Sequence, residues 1–163
     1  MRNYVFIFVV ALLLAGCATT KQEKRIITGE FSWSQWQKEA GWHNYDASAY
    51  EPGDYISGQL NAIITGPGSN IEFLLFSGSW CGDSESEVPK IFKLFTEAKI
   101  PLSKITLYGV DREKKEPEGI AEKYKIKRVP TLVVLKKGKE LGRITEFPAA
   151  SWEEDIFKIL IKS

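Results

Sequence analysis

The chain has 163 residues, 44% hydrophobic and 26% charged, with a formal net charge of +1. That is close to average globular usage, which excludes a disordered, collagen-like or coiled-coil chain and makes one domain the expectation. The charge balance lacks the basic footprint that nucleic-acid binding rests on. Cys17, Cys81 and His43 are the whole complement of cysteine and histidine, too few for most zinc sites or a disulfide-dense scaffold, so no metal or other cofactor is expected.

Residues 1–16 read as a signal peptide. Arg2 and Asn3 precede an uncharged run of eleven residues from Tyr4 to Leu14, too short to cross about 30 Å of hydrocarbon at 1.5 Å per residue but suited to an apolar signal region ending in small residues. Leu14-Ala15-Gly16-Cys17 resembles the bacterial lipoprotein box. The resemblance implies that Cys17 is acylated and begins the mature chain, held to a membrane through a lipid anchor. Because Ala18 follows, it also implies an outer-membrane protein facing the periplasm in a two-membrane cell. A plain secretory signal or a buried N-terminal helix are the alternatives. Cleavage would remove Arg2 as its only charged residue, leaving 21 basic against 21 acidic side chains.

Residues 17–30 are mostly polar and expected as the lipidated N-terminus and a tether, reaching about 20 Å as a coil. Residues 31–68 are expected as a helical extension. In its first half Trp33, Trp36 and Ala40 recur at helical spacing before the stop at Gly41, and beyond Pro52-Gly53 the residues Tyr55, Ile56, Leu60, Ile63 and Ile64 give a second apolar face. Tryptophans at that spacing fit core packing better than partner contact.

Residues 69–163 alternate strands and helices. Ile71–Phe76 suits a doubly covered strand, Glu85–Ala98 a helix and Ile105–Val110 a second strand, together a βαβ unit. Glu118–Tyr124 is a short helix; Thr131–Lys136 and Glu140–Phe147 are strands joined across Lys137-Gly138-Lys139; Ser151–Ile161 is a terminal helix with Ser151 and Glu154 at capping-box spacing. The order β-α-β-α-β-β-α predicts an α/β fold, a mixed sheet with an antiparallel hairpin and helices on both faces.

Chemistry gathers at one loop. The first of these strands runs through Ser77-Gly78-Ser79-Trp80-Cys81-Gly82-Asp83-Ser84 into a helix, which places Cys81 where free backbone amides and the helix dipole favour a thiolate. Asp83, Glu85 and Glu87 oppose this by their charge, so only modest activation is expected. His43 has no acidic partner at a telling spacing and reads as structural rather than as a base for the cysteine. The mixed charges from Arg112 to Arg128 read as a solvated helix and loops. There is no Gly-rich phosphate loop and no Gly-x-Ser-x-Gly elbow.

This part of the chain resembles the thioredoxin family over about residues 69–161. Trp80-Cys81-Gly82-Asp83-Ser84 is similar to the family's Trp-Cys-Gly-Pro-Cys, with Asp83 in the proline slot and Ser84 in that of the second cysteine. Pro89, Val110-Asp111, Ala121, Tyr124, Ile126, Val129-Pro130-Thr131-Leu132 and Lys137-Gly138 follow the later pattern in order. The resemblance implies a thioredoxin-like fold, a cis Pro130 beside the nucleophile, and a substrate-binding surface at Trp80, Gly82, Val129 and Pro130, where Val129 would pair with extended peptide.

Two departures shape the expected chemistry. Ser84 cannot resolve a mixed disulfide, and Leu75 occupies the slot where relatives carry a buried aspartate. What remains is a monothiol that exchanges with protein thiols or disulfides, or with low-molecular-weight thiols such as glutathione, and is released by an external thiol. Ser84 could donate a hydrogen bond to the thiolate, or simply occupy the first helical turn. The alternative function is a non-catalytic peptide-binding or chaperone-like module.

Overall fold

The computed structural model describes residues 25–162. The expected signal peptide, Cys17 and residues 18–24 of the tether lie outside the described residues. Within them a five-stranded sheet forms from β1 (Gly29–Phe31), β2 (Ile71–Ser77), β3 (Ile105–Gly109), β4 (Thr131–Lys136) and β5 (Lys139–Thr145), in the order β1-β3-β2-β4-β5. Only β2 and β3 run parallel; the other three pairings are antiparallel. The helices are α1 (Trp33–Glu39), α2 (Asp54–Thr65), α3 (Gly82–Glu97), α4 (Ile120–Lys123) and α5 (Trp152–Ile161). No helix among the described residues is long and apolar enough to cross a membrane.

Period-two alternation divides the strands between two apolar clusters. Phe73 and Leu75 of β2, Ile105 and Leu107 of β3, and Leu132 and Val134 of β4 face a core covered by α1, α2, α3 and α5. Phe76, Tyr108, Val133 and Leu135 face a smaller cluster beneath Ala121 and Ile126. Helices on both faces and a mixed sheet are the architecture expected from the sequence.

The N-terminal segment differs from expectation. Gly29–Phe31, read as the end of a tether and the start of a helix, is an edge strand antiparallel to β3, with Gly29 opposite Gly109. The crossing is tight: a Cβ on Gly109 would lie 2.7 Å from the Ile27 carbonyl and 2.9 Å from the Trp36 ring. The first helix is therefore confined to Trp33–Glu39, fixed by a reciprocal capping box between Ser32 and Gln35. Trp36 is fully buried, Trp42 nearly so, and Trp33 stacks on Phe92 with ring centroids 4.1 Å apart. These rings are core, part of the same cluster as β2 and α3.

Element ends follow local chemistry. The terminal strand stops at Thr145 because Glu146 takes φ 64° and the chain turns. The helix expected over 118–124 shortens to Ile120–Lys123 because Glu116, a buried carboxylate, accepts from the amides of Glu118, Gly119 and Ala121 and organises the preceding turn. Ser151 caps α5 by accepting from the Glu154 amide, but the Glu154 carboxylate reaches forward to Lys158, so the box is one-sided. Glu153 turns inward to accept from Tyr50 Oη and the Gly53 amide, joining α5 to the loop before α2. Burial works to raise its pKa, and those hydrogen bonds outweigh it, holding the carboxyl below its usual range.

Candidate functional site

The site forms where β2 ends and α3 begins. Phe76 and the smaller cluster hold the end of β2 against β4, and the chain then turns so that Cys81 becomes the N-cap of α3. The Cys81 amide donates to the Gly78 carbonyl (2.9 Å), closing the turn. The Cys81 carbonyl accepts from Glu85, so the amides of Gly82, Asp83 and Ser84 lie in the first turn, where a helix has no carbonyl of its own to offer them. Cys81 is partly exposed.

The second wall comes from a distant stretch of chain. The Val129–Pro130 bond is cis, placing the Val129 carbonyl 3.4 Å from Sγ, which donates its thiol proton to it. Thr131 Oγ1 donates to the Arg128 carbonyl (2.8 Å), fixing the bend from the other side. On the opposite rim Trp80 Nε1 donates to the Val110 carbonyl (2.9 Å) at the end of β3. A Cβ on Gly78 would come within 2.8 Å of the Trp80 ring, so the turn needs glycine there to let the indole lie flat.

The structure thus gathers Trp80, Cys81, Val129 and Pro130 at one place, with Gly82 in the first turn of α3. Ser84 is brought near in a different capacity. It is fully buried, and its Oγ accepts from the Gly78 amide (3.2 Å); no hydrogen bond joins it to Cys81 Sγ. A buried amide without an acceptor would cost about 1–3 kcal/mol, which explains the choice. Leu75 is fully buried, paired across the sheet with Leu107 and Leu132, so the apolar substitution is absorbed by the core.

The opposing acidic charges are also rearranged. Glu87 points into the α3–α5 interface, where Lys90 Nζ lies 2.5 Å from Oε1 and Trp152 Nε1 donates to Oε2 (3.0 Å). Glu85 accepts from the His43 amide (2.9 Å), so His43 meets α3 through its main chain. Asp83 is exposed at the site. Among the described residues no group of three His, Cys, Asp or Glu is placed to hold a metal ion.

Sequence reasoning passed over Ser79. Its Oγ accepts from the Ile27 amide (3.2 Å) and donates to the Arg25 carbonyl (2.7 Å), while Trp42 Nε1 donates to the Ser79 carbonyl (2.8 Å). The segment preceding β1 and the segment following α1 are both fastened to the loop two residues before Cys81. No local signal could reveal this, because the partners lie 37 to 54 residues apart.

The family model described as Thioredoxin matches residues 61–161. A thioredoxin of Echinococcus granulosus is 33% identical over 69 residues, covering 42% of this chain and 59% of its own length. A thioredoxin H-type of Fagopyrum esculentum is 31% identical over 86 residues, covering 53% of this chain and 66% of its own. The chain therefore spans less than two thirds of each of these relatives. Among solved structures, the germline-specific thioredoxin Deadhead of Drosophila melanogaster is 21% identical, covers 61% of this chain and 86% of its own, and has a TM-score of 0.41.

Proposed function

Because the chain belongs to the thioredoxin family, we propose that it performs thiol–disulfide exchange as a monothiol through Cys81, with protein thiols or disulfides, or low-molecular-weight thiols, as partners. The observation that carries this reading is the placement of a partly exposed cysteine at the N-cap of α3, its sulfur 3.4 Å from the Val129 carbonyl, with Ser84 in place of a resolving thiol. In the forward step the Cys81 thiolate attacks one sulfur of a disulfide. A bond forms between Sγ and that sulfur, the original S–S bond breaks, and the other half leaves as a thiolate that takes up a proton. The first-turn amides of α3 can support negative charge on the attacking sulfur. With Ser84 unable to attack, an external thiol must release the mixed disulfide and restore Cys81.

The test is acid-quench trapping from intact cells, comparing the natural chain with Cys81→Ala. The expected result is a set of thiol-sensitive high-mass species that depends on Cys81. Equal patterns from both chains would remove the exchange function and leave the peptide-binding module.

We further propose, from Leu14-Ala15-Gly16-Cys17, that Cys17 is lipidated and that the domain is held at the cell envelope, on the outer membrane facing the periplasm where there are two membranes. Globomycin treatment should accumulate an unprocessed precursor; unchanged electrophoretic mobility would contradict the anchor.

A further inference from the structure

The indole of Trp80, the residue before Cys81, carries two cations. The Arg112 guanidinium lies 5.1 Å from the ring centroid and the Lys114 ammonium 5.5 Å. Both belong to the turn at 111–115, whose shape is set by Asp111: its Oδ1 accepts from the amides of Glu113 and Lys115. Lys114 adopts φ 65° in that turn, and its Nζ donates to the Arg112 carbonyl (2.7 Å), drawing the two cations together.

Two cations in the same stretch of chain are compensated and these are not. Lys115 pairs with Glu113 at 2.9 Å and Arg128 with Glu146 at 2.7 Å. Arg112 and Lys114 have no carboxylate partner among the described residues. They place two positive charges over the ring of the residue that precedes the nucleophile, in a turn that also carries the charge of Asp111. The exposed Asp83, in the first turn of α3, works against them, which bounds the size of the effect.

Resting on the exchange chemistry above, we propose that Arg112 and Lys114 make Cys81 selective for disulfides that carry a carboxylate beside the sulfur under attack. The attack itself is unchanged: Sγ bonds to that sulfur and the other half departs as a thiolate. The cations attract the carboxylate of the incoming disulfide and repel an ammonium in the same place, so encounter and orientation favour the anionic substrate.

The test compares two symmetrical probes, dithiodipropionate with its carboxylates and cystamine with its ammonium groups. Rates of Cys81 adduct formation are followed by intact-mass spectrometry at low salt. The quantity read is the ratio of the two rates, which removes any change in the thiol common to both probes. In the double variant Arg112→Gln/Lys114→Gln this ratio should fall about three- to tenfold, and high salt should bring the natural chain toward the same value. Arg112→Glu should lower it further. An unchanged ratio in a variant that still reacts with both probes overturns the selectivity and leaves the exchange reading standing. A natural chain that reacts with neither overturns the exchange reading, and the selectivity with it. A further arm uses disulfide-linked peptides with Asp or Asn flanking the cysteine. A rate advantage for the Asp peptide, lost in the double variant, assigns the carboxylate to polypeptide substrates; an advantage confined to dithiodipropionate assigns it to small thiols.

Discussion

With dithiothreitol as the reductant, Ser84→Cys should raise turnover in an insulin-reduction assay at least about tenfold over the natural chain. The reason is geometric. Ser84 follows Cys81 by one helical turn, and side chains three residues apart on a helix have Cβ atoms about 5–6 Å apart. Modest local adjustment from that spacing reaches disulfide geometry. The introduced thiol would attack the Cys81 mixed disulfide within the same molecule, where effective concentrations far exceed those of a free thiol in solution. The stability cost should be small. Ser84 Oγ accepts from the buried Gly78 amide, and sulfur is a weaker acceptor, so about 1 kcal/mol is expected. Adding Cys81→Ser to the same chain should return activity to background. Equal turnover by the natural chain and the variant at the same dithiothreitol concentration would show that resolution does not depend on position 84.

Trp36→Ala should lower stability by about 3–5 kcal/mol, the range for emptying a large aromatic site in a core. The melting temperature should drop by roughly 10–20 °C. Trp36 is fully buried, meets Phe31 edge-on at 5.5 Å and Trp42 at 5.3 Å, and lies against the β3 backbone at Gly109. It also lies outside the region matched by the family model, residues 61–161. A small effect, measured by thermal or urea unfolding, would mean that the segment before residue 61 is an appendage. The expected large one means that the folded unit begins near Ile27. Because Trp42 and Ile27 bond to Ser79, the same substitution should also loosen the loop that carries Cys81.

The parts legible in the sequence were those in which local pattern and tertiary role coincide. Ile71–Phe76, Glu85–Ala98 and Thr131–Lys136 carry their periodicity in a few consecutive residues and appear in the structure within a few residues of the expected bounds. Lys137-Gly138 was readable as a hairpin turn because both residues take positive φ there, as a tight two-residue loop requires. Cys81 stood out because a strand–loop–helix junction is itself a local signal.

The remainder depends on partners far along the chain. Gly29–Phe31 is too short to show a period, and what makes it a strand is the exposed edge of β3 some eighty residues later. Glu116 sits in a run of mixed charge that reads as solvated, yet three amides draw its carboxylate inward. Glu87 looked like a charge opposing the thiolate, and Lys90 with Trp152 gives it another partner on the far side of α3. Arg112 and Lys114 meet Trp80 only because β3 ends beside the loop after β2.

If folded Cys81 undergoes disulfide exchange and cannot resolve the product itself, intact-mass spectrometry of the purified chain after incubation with a small symmetrical disulfide should show it. The expected result is one adduct, mapped to Cys81, that persists until an external thiol is added and is absent in Cys81→Ala. An adduct that appears only after unfolding in denaturant would contradict it.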